Sequence, residues 1–305
     1  MKNEQEGLRR APAPSGDVPV RWNGSGRRIC VQGATLACDA FGRGPTMLVL
    51  HGGLGIDCSY LRTALAPLAT DFRVVCYDQR GHGRSTGRES LASADRGILI
   101  EDADAVRDGY GADRVLLFGH SYGGFVALEY ALQHPDRVAG LVLCATSASV
   151  AHVPTALAAA ATFARRDELQ ALHAVLTNPP SSDEEFGEIW RTITPLYFKD
   201  HDPVRARTFD DTRYSALGYA AGARWLADYD VRSRLTHIDV PVLLLHGACD
   251  WLMPADVVGI QLAAGLRHAT RIVFHESGHY PFVEERRAFL KVIRSWLRPS
   301  ETSAE

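Results

Sequence analysis

Three residue types needed for nucleophilic catalysis occur in this chain, each beside an apolar run. Ser121 lies in Gly119-His120-Ser121-Tyr122-Gly123-Gly124, directly after Val115-Leu116-Leu117-Phe118 and before Phe125-Val126-Ala127-Leu128-Glu129-Tyr130. A G-x-S-x-G sequence between a strand and a helix makes a sharp turn that lifts the serine out of the sheet. Small residues flank it because a side chain there would strike the neighbouring strand or helix. The helix start then offers backbone N–H groups and a dipole that favour developing negative charge. A serine N-cap in a glycine-rich turn is the bland alternative.

An unaided serine hydroxyl is a weak nucleophile and needs a base, which in turn needs an orienting acid. His279, in Ser277-Gly278-His279-Tyr280, is the candidate base; it follows the run Arg271-Ile272-Val273-Phe274. Asp250 ends Leu243-Leu244-Leu245-His246-Gly247-Ala248-Cys249-Asp250 and is the candidate acid. Asp256 is the substitute, although it falls inside the next helical segment. A carbonyl under attack also needs oxyanion donors. The loop His51-Gly52-Gly53-Leu54-Gly55 follows Met47-Leu48-Val49-Leu50. Its glycines permit close backbone approach. The expected donors are the N–H groups of Tyr122 and of Gly53, with Leu54 as the alternative to Gly53. Neither G-x-x-x-x-G-K-[ST] nor a strand-linked G-x-G-x-x-G occurs, which argues against a phosphate-cradling loop. The reaction is acyl transfer to water and calls for no metal or organic cofactor.

These residues need a scaffold. Six short apolar runs, including Val74-Val75-Cys76-Tyr77, Leu141-Val142-Leu143-Cys144 and Val242-Leu243-Leu244-Leu245, are continuous rather than alternating. That pattern fits strands covered by helices on both faces. Helical spacing over 91–108, 122–133, 254–266 and 284–297 separates them, predicting an α/β fold with a mostly parallel, doubly wound sheet. Residues 28–41 predict an antiparallel edge hairpin. The segment Tyr77-Asp78-Gln79-Arg80-Gly81-His82-Gly83-Arg84-Ser85 reads as a tight turn with internal hydrogen bonds.

The alternation stops between about 146 and 238. That stretch is alanine-rich around 156–164 and then aromatic, with Phe186, Trp190, Tyr197, Tyr219 and Trp225 among others. It predicts a helical cap over the strand ends, whose aromatics form the cap's own small core or, alternatively, a substrate cage. The expected organisation is an N-terminal extension over 1–27, a core over 28–145 and 239–298, and a cap over 146–238. Residues 299–305 read as a loose tail.

The chain has 305 residues and a net charge of -3. It carries no basic stripe for nucleic acid and no apolar run near the ~20 residues of a membrane span. The first 26 residues lack the continuous apolar stretch of an export signal. The six cysteines form no C-x-x-C pair, and most sit in or beside apolar runs. Each is expected to be buried and reduced, pointing to the cytoplasm. The oligomeric state is left open.

The ordered set HGGLG, DQRGHGRS, GHSYGG, HGACD and SGHYPFVEE resembles the α/β-hydrolase superfamily over about 28–145 and 239–297. The order serine, acid, histidine is the one found there. The first two motifs are similar to the prolyl-iminopeptidase-like branch, though Leu54 replaces its usual proline. His120 before the serine is commoner in esterases and lactonases. The resemblance implies a serine hydrolase acting on an ester, lactone or amide of a small molecule. An aminopeptidase of that branch would hold the substrate ammonium with cap carboxylates, here Asp183, Glu184, Glu185 or Glu188; a solvated helix start is the alternative. Trp251 and Tyr280 are candidates for the pocket mouth, with packing as the other reading. A binding protein on the same fold is the alternative from another class. Ser121 argues against dehalogenase or epoxide-hydrolase chemistry, which uses aspartate at the elbow. Transfer or cyclisation in place of hydrolysis depends on whether the cap excludes water.

Overall fold

The computed structural model describes residues 25–92 and 95–297. Most of the expected N-terminal extension and the C-terminal tail lie outside the described residues. The first strand nevertheless starts at Ser25, earlier than the expected boundary. Eight strands form one sheet: β1 Ser25–Val31, β2 Ala34–Phe41, β3 Thr46–Leu50, β4 Arg73–Tyr77, β5 Val115–His120, β6 Val138–Cys144, β7 Val242–Gly247 and β8 Ala269–Phe274. Their order is β1-β2-β4-β3-β5-β6-β7-β8. The hairpin β1–β2 is antiparallel and joins β4 antiparallel. All later pairings are parallel.

The helices are α1 Ser59–Leu65, α2 Arg96–Gly109, α3 Tyr122–Gln133, α4 Val153–Ala160, α5 Arg166–Thr177, α6 Asp183–Ile193, α7 Pro203–Ala206, α8 Ala216–Leu226, α9 Ile260–Gly265, α10 Pro281–Glu284 and α11 Arg286–Leu297. The continuous apolar runs now have their reason. Met47, Val49, Phe118, Val142 and Leu245 face one core with α1 and α11. Leu48, Leu50, Leu117, Leu143 and Leu244 face the other with α2, α3 and α9. Successive side chains of one strand therefore enter different cores, and both must be apolar. The edge strand β8 departs from the expectation: Thr270 and Arg271 are exposed, because β8 is the last strand of the sheet among the described residues.

Helices α4 to α8 all lie between β6 and β7. Among the described residues no helix is long and apolar enough to cross a membrane. All six cysteines are unpaired, but Cys30 and Cys249 are exposed rather than buried. Cys30 is on the edge strand β1, and Cys249 is in the loop after β7.

The turn after β4 is a structural brace. Asp78 is buried and receives Arg62 Nη2 at 2.6 Å and Arg84 Nε at 2.9 Å. Arg62 also reaches Asp39 at 2.9 Å, so the network ties this turn to β2 and α1. Burial alone would raise the Asp78 pKa, but the two guanidinium groups outweigh it and hold the carboxyl below its ordinary range. Arg80, 1% exposed, forms a two-bond fork with Asp102 of α2, at 2.9 and 2.6 Å. His51 and His82 pack edge to face, ring centroids 5.5 Å apart, between this turn and the loop after β3. Burial pushes each from an ordinary 6.5 down to about 4.

Two outcomes follow. Asp78→Ala removes one of the two carboxylates that the half-buried Arg62 and Arg84 share, leaving them Asp39, so chemical denaturation should show a loss of about 1–3 kcal/mol. The histidines set an acid limit. The unfolded chain takes up protons below about 6.5, while the folded chain resists until about 4. Stability is therefore complete above 6.5 and falls as pH drops through this window, by roughly 3 kcal/mol for each histidine. Thermal unfolding followed from pH 7 to 4 should show Tm falling throughout; a flat Tm contradicts it.

Candidate active site

Strand β5 ends at His120 and α3 begins at Tyr122, so Ser121 alone makes the turn. Its backbone lies at φ 51°, a region non-glycine residues enter only under constraint. The constraint is visible. Ser121 N–H donates to Cys144 O of β6 at 2.9 Å, and Thr146 Oγ1 donates to Ser121 O at 2.9 Å. Gly123 lets α3 approach β3; a Cβ there would collide with the carbonyl of Leu50. Tyr122 is the first residue of α3, so its N–H has no partner within the helix.

Asp250 and His279 come together. Asp250 Oδ1 accepts from the backbone N–H groups of Leu252 and Met253, both at 3.0 Å. This aims Oδ2 at His279 Nδ1, 2.7 Å away. In the neutral imidazole Nδ1 then carries the proton and Nε2 is left as the basic nitrogen. The His279 backbone N–H donates to Tyr197 O at 2.7 Å, a bond from the helical segment between β6 and β7 to the loop after β8. Asp256, the substitute acid, is exposed on the turn that leads into α9.

Ser121 and His279 both line a cavity of about 190 Å³. Gly53, Leu54 and Tyr122 line it too, as do Trp251 and Tyr280. Gly53 is at φ 68°, as a close backbone approach requires. The loop it belongs to is clamped by the cap: Ser215 N–H donates to Gly55 O at 2.8 Å, and Tyr214 bridges Ile56. The cap supplies much of the wall through Leu172, Val175, Phe186, Trp190, Ile193 and Tyr219. The cap aromatics are thus divided: Phe186, Trp190, Tyr197 and Tyr219 face the cavity, while Trp225 and Tyr229 stack against each other at 5.2 Å and pack on the core. No Asp, Glu, Lys or Arg lines the cavity among the described residues.

Glu184 and Glu185 do not reach this site; both are exposed at the start of α6. Glu185 accepts from Ser181 N–H and Oγ–H, at 2.7 and 2.5 Å. Asp183 accepts from Ala216 N–H at 2.9 Å and pairs with Arg88, and Glu188 is exposed. The reason is helical phase. Phe186, Trp190 and Ile193 share one face of α6 and take the buried side, which turns the acidic residues outward. That i, i+4, i+7 spacing was the available signal for these wall residues. The sequence offers Tyr197 only as one of the cap aromatics; nothing in it points to the backbone carbonyl that accepts the His279 N–H.

Comparisons with known proteins bear on the family and the fold. The sequence profile of the family described as alpha/beta hydrolase fold matches residues 45–286. A pimeloyl-[acyl-carrier protein] methyl ester esterase of Vibrio campbellii is 29% identical, over 84% of this chain and 96% of that protein. A proline iminopeptidase of Pestalotiopsis fici is 25% identical, over 88% and 97%. The solved structure of a thermophilic esterase from Thermogutta terrifontis superposes with a TM-score of 0.71 at 25% identity, covering 90% of this chain and 98% of that one. With an eight-stranded sheet, a serine turn after its central strand and a profile match across most of its length, the chain belongs to the α/β-hydrolase family.

Proposed function

We propose that this α/β-hydrolase is a serine esterase for neutral, apolar small molecules. Ser121 is the nucleophile, His279 the general base, Asp250 its orienting acid, and the N–H groups of Gly53 and Tyr122 the oxyanion donors. The observation that carries the reading is the His279–Asp250 pair, 2.7 Å apart, on the wall that also presents the strained Ser121.

His279 Nε2 takes the Ser121 proton as Oγ attacks the ester carbon. Asp250 holds the imidazole tautomer and stabilises the imidazolium. The negative oxygen falls to the two backbone donors, each worth roughly 3 kcal/mol of barrier. The tetrahedral adduct collapses, His279 gives its proton to the leaving alcohol, and an acyl-Ser121 ester remains. Water enters, loses a proton to His279, and releases the acid and free Ser121.

The uncharged wall favours an ester over a peptide substrate. An N-terminal ammonium buried here would lack a carboxylate partner, which is costly. Glu184 and Glu185 are turned away from the cavity, so the aminopeptidase reading has no anchor in the cap. The methyl ester esterase relatives support ester cleavage. Six unpaired thiols fit a reducing compartment such as the cytoplasm.

A panel of p-nitrophenyl esters and amino-acid arylamides separates the readings. Esters of neutral, apolar acids should turn over fastest, with arylamides and charged acyl groups at least ~100-fold slower in kcat/KM, the cost of about 3 kcal/mol for burying an unpaired charge. Faster arylamides contradict the proposal. Ser121→Ala should lower kcat by about 10⁴-fold or more while thermal unfolding stays near that of the wild type.

A further inference from the structure

His120 precedes the nucleophile and lines the same cavity, yet it is 1% exposed and both its ring nitrogens are engaged in hydrogen bonds of their own. Its Nε2 lies 3.2 Å from the backbone oxygen of His279. Its Nδ1 lies 2.8 Å from the hydroxyl of Tyr60. The same hydroxyl oxygen accepts from Gly52 N–H at 2.8 Å. Resting on the triad reading above, we propose that His120 is a positioning residue, a neutral bridge that fixes the base's backbone to the oxyanion loop.

The polarity of this chain has one solution. Gly52 N–H can only donate and the His279 carbonyl can only accept. His120 Nε2 must then carry a proton. In a neutral ring Nδ1 is an acceptor, and the Tyr60 O–H donates into it. Every polar atom between the two backbone groups is engaged, the Tyr60 hydroxyl both as acceptor and as donor. The ring is also boxed by packing: Phe282 stands edge to face at 5.0 Å and His279 at 4.9 Å. Burial, and then the charge of His279 when protonated, push the His120 pKa well below 6.5.

The consequence concerns three parts of one site. His120 adjoins Ser121, Gly52 adjoins Gly53, and the bridge ends on His279 itself. With Tyr197 O holding the His279 N–H at 2.7 Å, both backbone polar groups of the base are fixed, one by the cap and one by the elbow. When His279 becomes imidazolium during the cycle, His120 stays neutral, so the proton remains available to the leaving group.

The test combines a tautomer measurement with a split of kinetic constants. Nitrogen-15 NMR of the wild-type enzyme at neutral pH should show His120 as the Nε2–H tautomer; an Nδ1–H tautomer or an imidazolium overturns the proposal, whatever the variants do. His120→Phe fills the space without the bonds, and should lower kcat about 10- to 100-fold on a neutral p-nitrophenyl ester while KM changes about twofold or less. Labelling by a fluorophosphonate should slow by the same factor. His120→Gln can offer an N–H toward the His279 carbonyl and should recover most of the rate; Tyr60→Phe should fall between the two. A folded His120→Phe protein that labels as fast as the wild type refutes the bridge. Absence of labelling in the wild type would instead refute the serine-hydrolase reading beneath it.

Discussion

The site depends on a single backbone turn. At Ser121 the chain leaves β5 and enters α3 with φ at 51°, a conformation that costs of order 1–3 kcal/mol for a residue with a side chain. The surrounding structure sustains it from three sides. Strand β6 accepts the Ser121 N–H, Thr146 donates to the Ser121 carbonyl, and Gly123 allows the helix to sit against β3. The turn lies after β5, which is paired on both edges by β3 and β6. Strain stored there is therefore held by a fully buried strand and the two neighbours paired with it. Its product is a serine at the first turn of a helix, where a developing oxyanion is favoured electrostatically.

The cap is part of the same construction rather than a separate lid. Its Tyr197 carbonyl takes the His279 N–H, and its Ser215 N–H holds Gly55 in the loop after β3. Its helices α5 and α6 contribute apolar side chains to the cavity wall. Leu176 lines the cavity and is 51% exposed, which marks the side at which it meets solvent. One element thus sets the shape of the substrate space and the backbone of two loops that we assign to the chemistry. Changes in the cap made to alter specificity would be felt in the reaction rate as well.

The core of the fold was legible because burial on both faces of a parallel sheet leaves no room for polar alternation. That logic located all six runs; it held for the five inner strands and only in part for the sixth, the edge strand β8, where Thr270 and Arg271 face solvent. The serine turn was legible because only glycines tolerate its close contacts. Asp250 and His279, which we assign as acid and base, are picked out by chain order and by their places after strands, not by any property of their own neighbourhoods. The cap was legible as helical but not in its roles. Which aromatics face the cavity depends on how α5, α6 and α8 pack, and Glu184 and Glu185 point outward because Phe186 and Trp190 compete for the buried face. The bonds from His120 to Tyr60 and His279, and from His279 to Tyr197, span 60 to 159 residues and have no sequence signature.

The central claim is that Ser121 carries the acyl group between the two half-reactions. Rapid-quench intact-mass analysis during turnover of a p-nitrophenyl ester, followed by peptide mapping, tests it most directly. The account predicts a stoichiometric mass gain equal to the acyl group, located on the peptide containing Ser121 and absent from Ser121→Ala. Turnover with no covalent adduct, or an adduct on another residue, would contradict it.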